Sequence, residues 1–304
     1  MIVIGGATAT GKTALAVEVA KRINGEIIGA DSMQIYKRMN VGTAKPTEEE
    51  KCGIRHYMID VVEPNEPYSV AEYKKQATET IKNIKNGGKV PIVVGGTGLY
   101  VNSLIFDYKP FARDDKLRDA LKAEYETCGA EYMHEKLRSI DPKAGEIIHY
   151  NNVKRVLRAL EVKILTGESV TDKCDKEAAV PALVYVLGGV EPREKLYERI
   201  NRRVDAMFDG GLEKEISGLL SEKAVDFSCQ SMQAIGYKEF KAYYEGTATQ
   251  EEVKEKIKQH TRNYAKRQIT WFKGIEDAVW LGEESVEEKA DRIVGDYYNY
   301  FCKL

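Results

Sequence analysis

The run Gly6-Ala7-Thr8-Ala9-Thr10-Gly11-Lys12-Thr13 sets two glycines, a lysine and a hydroxyl at the spacing G-x-x-x-x-G-K-[ST]. A loop of this kind closes backbone N–H groups around phosphate oxygens, and the helix behind it favours the anion through its N-terminus. Lys12 supplies a point charge, and the Thr13 hydroxyl can ligate Mg²⁺. The run follows a β-branched stretch, Ile2-Val3-Ile4, and opens a helical pattern through Ala20, which is the context the motif requires. A polyphosphate or a diphosphate is the expected ligand. What happens to the phosphate is open at this point. An NTPase or kinase would carry an apolar strand ending in a Mg²⁺-holding aspartate, and both Asp31 and Asp60 follow apolar runs.

Four further groups have side chains suited to chemistry, each with a plainer reading beside it. Asp31 is a proton acceptor at a strand end or the cap of a helix. Thr97, inside Gly95-Gly96-Thr97-Gly98, offers a hydroxyl with room around it, or merely closes a turn. Arg193, Lys195, Arg199, Arg202 and Arg203 put five cations in eleven residues, with Arg199 and Arg203 one helical turn apart. They are anion ligands or a solvated helix face. Residues 254–273 hold seven Lys/Arg against Glu255, a local net of +6, interleaved with His260, Tyr264, Trp271 and Phe272. The basic residues suit an RNA backbone, whereas the aromatics read better as core anchors than as base-stacking platforms. His56 and His149 have no partners at metal-ligand spacing and read as structural.

These groups need a scaffold, and the pattern supplies one. Ile2–Ile4, Glu26–Ala30 and Val90–Val94 are short apolar runs alternating with helical stretches, the signature of a parallel sheet of βαβ units. Ligands bind such sheets beyond the C-terminal strand ends, where all three runs give way to small polar loops. From Arg113 the texture becomes helical, with polar breaks at Thr127-Cys128-Gly129 and Asp141-Pro142. A polar, charged loop follows from Gly167 to Ala179. Strand character returns between Pro181 and Val190, and beyond residue 192 the pattern is helical nearly to the end. The expected fold is α/β: a phosphate-loop parallel sheet flanked by helices (residues 1–112 and 180–304), interrupted by a helical insert (residues 113–179).

Composition narrows the class. The 304 residues are 43% hydrophobic and 31% charged, with a formal net charge of −2, so the whole chain is not a basic nucleic-acid binder, although a basic face remains open. Five scattered cysteines, Cys52, Cys128, Cys174, Cys229 and Cys302, contain no Cys-x-x-Cys pair and indicate neither a disulfide framework nor a zinc site. No run of about 18 apolar residues exists to span a membrane, and the first residues lack the basic start of a signal peptide. The expected compartment is the cytoplasm.

Asp31-Ser32-Met33-Gln34-Ile35-Tyr36 directly after the second strand, taken with the phosphate loop, resembles the tRNA dimethylallyltransferase (tRNA isopentenyltransferase) family. The similarity continues in order through Gly42-Thr43-Ala44-Lys45-Pro46, His56-Tyr57-Met58-Ile59-Asp60 and Tyr68-Ser69-Val70-Ala71-Glu72-Tyr73. It then runs through Gly95-Gly96-Thr97-Gly98-Leu99-Tyr100, Arg158-Ala159-Leu160-Glu161-Val162, and Gln233-Ala234-Ile235-Gly236-Tyr237-Lys238-Glu239. It closes on Tyr264-Ala265-Lys266-Arg267-Gln268-Ile269-Thr270-Trp271-Phe272, so it covers about residues 2–275. Ala7 stands where the family usually has proline, and Tyr57 where a second histidine is common. The chain stops at Leu304 without the zinc-finger extension of eukaryotic members, so the bacterial type is expected.

The resemblance implies transfer of a dimethylallyl group from dimethylallyl diphosphate to N6 of adenine 37, beside the anticodon, in tRNAs reading codons that begin with U. Diphosphate leaves. It also implies that Asp31 is the base, that Thr97 lies beside diphosphate and adenine, and that Arg203 holds the leaving group. The phosphate loop, Gly6 to Thr13, then binds the allyl diphosphate, with Thr13 on Mg²⁺. Asp31, Ser32, Met33, Gln34 and Thr97, with Lys154, Arg155, Arg158, Gly236, Tyr237, Lys238, Lys266 and Arg267, are the implied tRNA contacts. The insert is expected at the anticodon stem-loop, and the enzyme is expected to be a monomer. An adenylate isopentenyltransferase acting on free AMP or ATP shares the phosphate loop and the Asp-Ser-x-Gln start, but free nucleotide needs no large basic surface. A phosphate-loop small-molecule kinase and an RNA-binding switch without chemistry are the alternatives from other classes.

Overall fold

A computed structural model of the chain describes residues 1–106, 114–171, 180–188 and 192–301. The expected boundaries at Arg113 and Ala179, most of the polar loop before Ala179, Val190, Cys174 and Cys302 lie outside the described residues. The chain forms two compact units, Met1–Ile105 with Ala179–Leu304, and Phe106–Ala178.

The first unit is built on six parallel strands: β1 (Ile2–Gly6), β2 (Gly25–Gly29), β3 (His56–Tyr57), β4 (Val90–Gly95), β5 (Leu183–Leu187) and β6 (Val279–Leu281). Their order across the sheet is β3-β2-β4-β1-β5-β6. β1 and β2 therefore both neighbour β4, in the register Gly5↔Gly95 and Gly29↔Val94. That arrangement gathers the loops after β1, β2 and β4 along one edge. The expectation of helix nearly to the end after residue 192 misses β6, which adds to β5 at the pairs Tyr185↔Val279 and Leu187↔Leu281. Three residues are too few to show a period, and the ladder rather than the local pattern makes them a strand.

Around the sheet lie α1 (Lys12–Arg22), α2 (Glu48–Lys51), α3 (Val70–Asn86) and α4 (Gly98–Ile105). The second unit contributes α5 (Asp115–Ile140), α6 (Pro142–Ile147) and α7 (Val153–Thr166). The first unit resumes with α8 (Arg193–Asp209), α9 (Leu212–Leu220), α10 (Phe240–Tyr244), α11 (Gln250–Phe272) and α12 (Val286–Phe301). On one sheet face Ile2, Ile4, Ile27 and Ile92 bury against Leu15, Ala16 and Val19 of α1 and Ala290 and Ile293 of α12. Because strand side chains alternate, Gly5 faces the other way. There the Phe272 ring of α11 comes so close that a Cβ on Gly5 would lie 2.3 Å from it.

The second unit has its own core of Leu121, Met133, Leu137, Val156 and Leu160. Gly129, at φ 83°, kinks α5, and the Asp141 carboxylate caps α6 by accepting from the Ala144 amide at 3.0 Å. Among the described residues no helix is long and apolar enough to cross a membrane.

Candidate active site

The loops at the C-terminal strand edge enclose a cavity of about 890 Å³, entirely within the first unit. Thr8 to Ala14 form its floor, and Asp31 to Gln34 and Asn40 to Thr47 form one side. Arg203 comes from α8, Tyr264, Arg267 and Gln268 from α11, and Lys238 from the turn before α10.

The phosphate loop turns sharply because its sequence allows it. Gly6 sits at φ +137°, and a Cβ there would lie 2.2 Å from the Leu187 carbonyl oxygen. Ala9 and Gly11 also have positive φ, and Gly11 precedes the first residue of α1. Gly6 and Ala7 are buried and do not line the cavity. The Ala7 carbonyl accepts from both the Lys12 ammonium and the Thr10 hydroxyl, which draws the loop into a ring. Burial, reinforced by the nearby Arg203 guanidinium, pulls the Lys12 ammonium down to about 7, while Asp31 opposes the shift. Arg203 donates to the Thr8 hydroxyl at 3.3 Å. Its own affinity for a proton is lowered by burial and partly restored by Asp31. Two crowded cations over an amide-lined loop form a site poised for an anion.

Thr97 meets the residues on either side of Asp31 because β2 and β4 are neighbours: the Ala30 amide donates to Val94 O at 2.7 Å, and the Thr97 amide to Ala30 O at 3.1 Å. The Thr97 hydroxyl accepts the Ser32 amide at 3.0 Å and donates to the Ser32 hydroxyl at 3.3 Å. One Asp31 oxygen, Oδ1, accepts the Met33 amide at 2.9 Å and the Gln34 amide at 3.4 Å. These two bonds orient the carboxylate. Gln34 donates to the carbonyls of Thr43 and Ala44, both at 3.1 Å, tying the Asp31 turn to the opposite loop. Asp60, the other aspartate considered for Mg²⁺, is paired with Lys45 at 2.6 Å and does not line the cavity.

Several residues that carry the site were not singled out from sequence. The buried Gln268 accepts the Thr8 amide at 2.9 Å and donates to Gly96 O at 3.0 Å. Burial and the Asp31 carboxylate push the Tyr264 phenol up to about 12, so it stays protonated beside Thr97 and Gln268. Glu215 accepts three successive amides, Asn40 at 2.7 Å, Val41 at 2.8 Å and Gly42 at 3.1 Å, and the Tyr237 hydroxyl at 2.6 Å. The sequence assigns Gln268 no role, and it points to Tyr264 as a core anchor rather than a cavity residue. Glu215 carried no local signal at all.

The expected RNA contacts divide by exposure. Lys154 and Arg155 are exposed on α7, and Lys266 and Arg267 on α11. Lys238 lines the cavity, whereas Gly236 donates its amide to the buried Glu239 at 2.8 Å. Tyr237 is fully buried, and its hydroxyl donates to Glu215, which holds the loop at residues 40–42. Arg158 binds the buried Glu161 at 2.7 Å. The cationic run on α11 is partly neutralised internally, since Lys254 and Lys258 each lie 3.0 Å from Asp205 of α8. Of its aromatics, Phe272 is core as expected, but Tyr264 lines the cavity and Trp271 is exposed.

Among the described residues no cluster of His, Cys, Asp and Glu could hold a metal by itself. The Thr13 hydroxyl in the cavity floor fits Mg²⁺ in its usual manner with diphosphates, where phosphate oxygens and water complete the shell.

A family profile described as IPP transferase matches residues 34–275. A tRNA dimethylallyltransferase of Acetivibrio thermocellus is 50% identical over 291 residues, covering 94% of this chain and 93% of its own. One from Bacillus cereus is 46% identical over 292 residues, with 95% and 92% covered. A crystal structure of tRNA delta(2)-isopentenylpyrophosphate transferase from Staphylococcus epidermidis matches with a TM-score of 0.73 and 43% identity, covering 98% of each chain. A eukaryotic dimethylallyltransferase acting on tRNA matches with a TM-score of 0.82 and 28% identity, covering 100% of this chain and 79% of its own.

Proposed function

Given that the chain belongs to the IPP transferase family, we propose that it transfers the dimethylallyl group of dimethylallyl diphosphate to N6 of adenine 37 in tRNAs reading codons that begin with U. The observation that carries the reading is the convergence of an anion-binding loop, a carboxylate and a guanidinium in one cavity. The loop amides and Lys12 hold the diphosphate, and Arg203 stands beside Thr8 at its end. As the allylic C–O bond breaks, its electron pair leaves on the diphosphate, and a guanidinium placed where that charge grows stabilises the transition state.

The exocyclic amine of adenine is a weak nucleophile, since its lone pair is delocalised into the ring. Asp31 Oδ2 accepts an N6 proton as the new C–N bond forms, a contribution of about 10²–10⁴ in rate. Thr97 anchors the Ser32 amide and keeps the Asp31 turn against β4. Thr13 would hold a Mg²⁺ bound with the donor, which would neutralise part of the charge on the diphosphate.

The acceptor is the anticodon stem-loop, and the insert, residues 113–179, with exposed Lys154 and Arg155 presents cations to its backbone. The protein acts as a monomer in the cytoplasm. Incubation with labelled dimethylallyl diphosphate and either unmodified tRNA or AMP, followed by nucleoside analysis, tests the reading. Label in N6-dimethylallyladenosine from tRNA alone supports it. Label in AMP alone replaces it with the free-nucleotide enzyme, and label in neither acceptor overturns it.

A further inference from the structure

We infer that Trp271 is a stacking platform at the cavity mouth for a base next to the target adenine, an inference that rests on the RNA-acceptor reading above. Tyr264, Arg267 and Gln268 all line the cavity, and at spacings of seven, four and three residues Trp271 continues their face of α11. It stands one turn beyond Arg267, outside the lining. Its indole is seated against the first residue after Thr97: a Cβ on Gly98 would lie 2.1 Å from Trp271 Cδ1. The point lies nearly as close to Nε1 and Cγ, so one face of the indole is laid over Gly98 in the loop that carries Thr97, while 43% of the residue remains exposed. Its neighbour Phe272 is fully buried against Gly5, so the core anchor of this helix end is Phe272. The core does not need the indole as well.

The chemistry gives the exposed ring an occupant. Drawing an adenine out of an RNA stack leaves the bases on either side without a stacking partner, at a cost the enzyme must offset. A rigid aromatic at the mouth, flush with the loop that receives the adenine, offers a π-face to one of them, and stacking of this sort tolerates any base. The role is binding of acceptor; no bond to the allyl donor is involved.

The chain has two tryptophans, Trp271 and Trp280, so the fluorescence difference between wild type and Trp271→Phe isolates the signal of Trp271. Titration with an unmodified anticodon stem-loop should quench that difference signal, and titration with dimethylallyl diphosphate should not. Trp271→Ala should raise the KM for stem-loop about tenfold with kcat nearly kept, and Trp271→Phe should restore most of the loss. Unaltered Trp271 emission on saturation with a stem-loop that the wild type binds and prenylates overturns the inference while leaving the function intact. Quenching by the diphosphate alone overturns it too, by placing the ring over the donor. A wild type that binds no stem-loop and prenylates AMP removes the acceptor reading itself. The emission readout uses the native residue, so it decides the matter even where the alanine variant folds poorly.

Discussion

Gln268 reaches across the sheet edge to accept the Thr8 amide at 2.9 Å, although 260 residues separate the two in sequence. Its amide nitrogen donates to Gly96 O at 3.0 Å, so one buried carboxamide fastens the phosphate loop to the loop that bears Thr97. Gln268→Leu should leave the Thr8 amide and the Gly96 carbonyl unpaired, a loss of about 1–3 kcal/mol for each group kept from water. A lowered midpoint in thermal unfolding is expected, together with weaker diphosphate binding. Wild-type values in both would show that the link positions nothing.

Lys12 yields a pH dependence with a definite sign. In the free protein its ammonium is lowered to about 7, and burial is the main cause. A bound diphosphate replaces the lost hydration and favours the charged form, so binding takes up a proton above pH 7. Donor affinity should be flat below pH 7 and fall with a slope approaching tenfold per unit above it. Calorimetry in buffers of different ionisation enthalpy would report the proton taken up at pH 8, and Lys12→Met should abolish both the uptake and the slope. The same depressed value means that unfolded chain binds more protons than folded chain above pH 7. This group therefore makes the ligand-free fold gain stability as pH rises from 7 toward its ordinary value of 10.5.

Asp31→Asn preserves the side-chain oxygen that accepts the Met33 and Gln34 amides and removes the proton acceptor. Turnover should drop by about 10²–10⁴ with stem-loop and diphosphate affinities close to wild type, since the lost interaction belongs to the transition state. Single-turnover kinetics at saturating substrates measures this directly. A rate within a few-fold of wild type removes Asp31 from proton transfer.

The phosphate loop is legible because its eight residues are contiguous, between a strand and a helix that the local pattern declares. Asp31 and Thr97 were legible only as residues at strand ends. That Thr97 meets the residues on either side of Asp31 depends on β2 lying beside β4, a pairing that sequence order does not state. Gln268 and Glu215 work across much longer separations, and neither a glutamine in a basic helix nor one acid among many announces such a partner. Tyr237 shows that a motif also holds buried supports, since its hydroxyl bonds Glu215 inside the fold. Trp271 and Phe272 are adjacent in sequence, yet one is exposed and the other buried. The direction of the helix relative to the sheet decided which ring entered the core.

The basic residues of α7 lead to the last prediction, because they are not equivalent. Lys154 and Arg155 are exposed and carry charge into solvent, whereas Arg158 lies 2.7 Å from the carboxylate of Glu161, which is only 2% exposed. That same carboxylate accepts the Asp114 amide at the start of α5, at 3.3 Å. Removing Arg158 would strand a buried charge, so Arg158→Ala should unsettle the helical unit and confound any binding measurement. Lys154→Ala with Arg155→Ala avoids this. The double variant should melt with the wild type, bind dimethylallyl diphosphate normally, and bind tRNA more weakly with a shallower dependence on salt. The log–log slope should fall by about one unit or less for each phosphate that is no longer neutralised. Filter binding between about 50 and 200 mM salt, a range over which a single phosphate's share is readily resolved, gives that slope. An unchanged slope would make this end of α7 a solvated helix face and move the RNA footprint to Lys266 and Arg267 of α11.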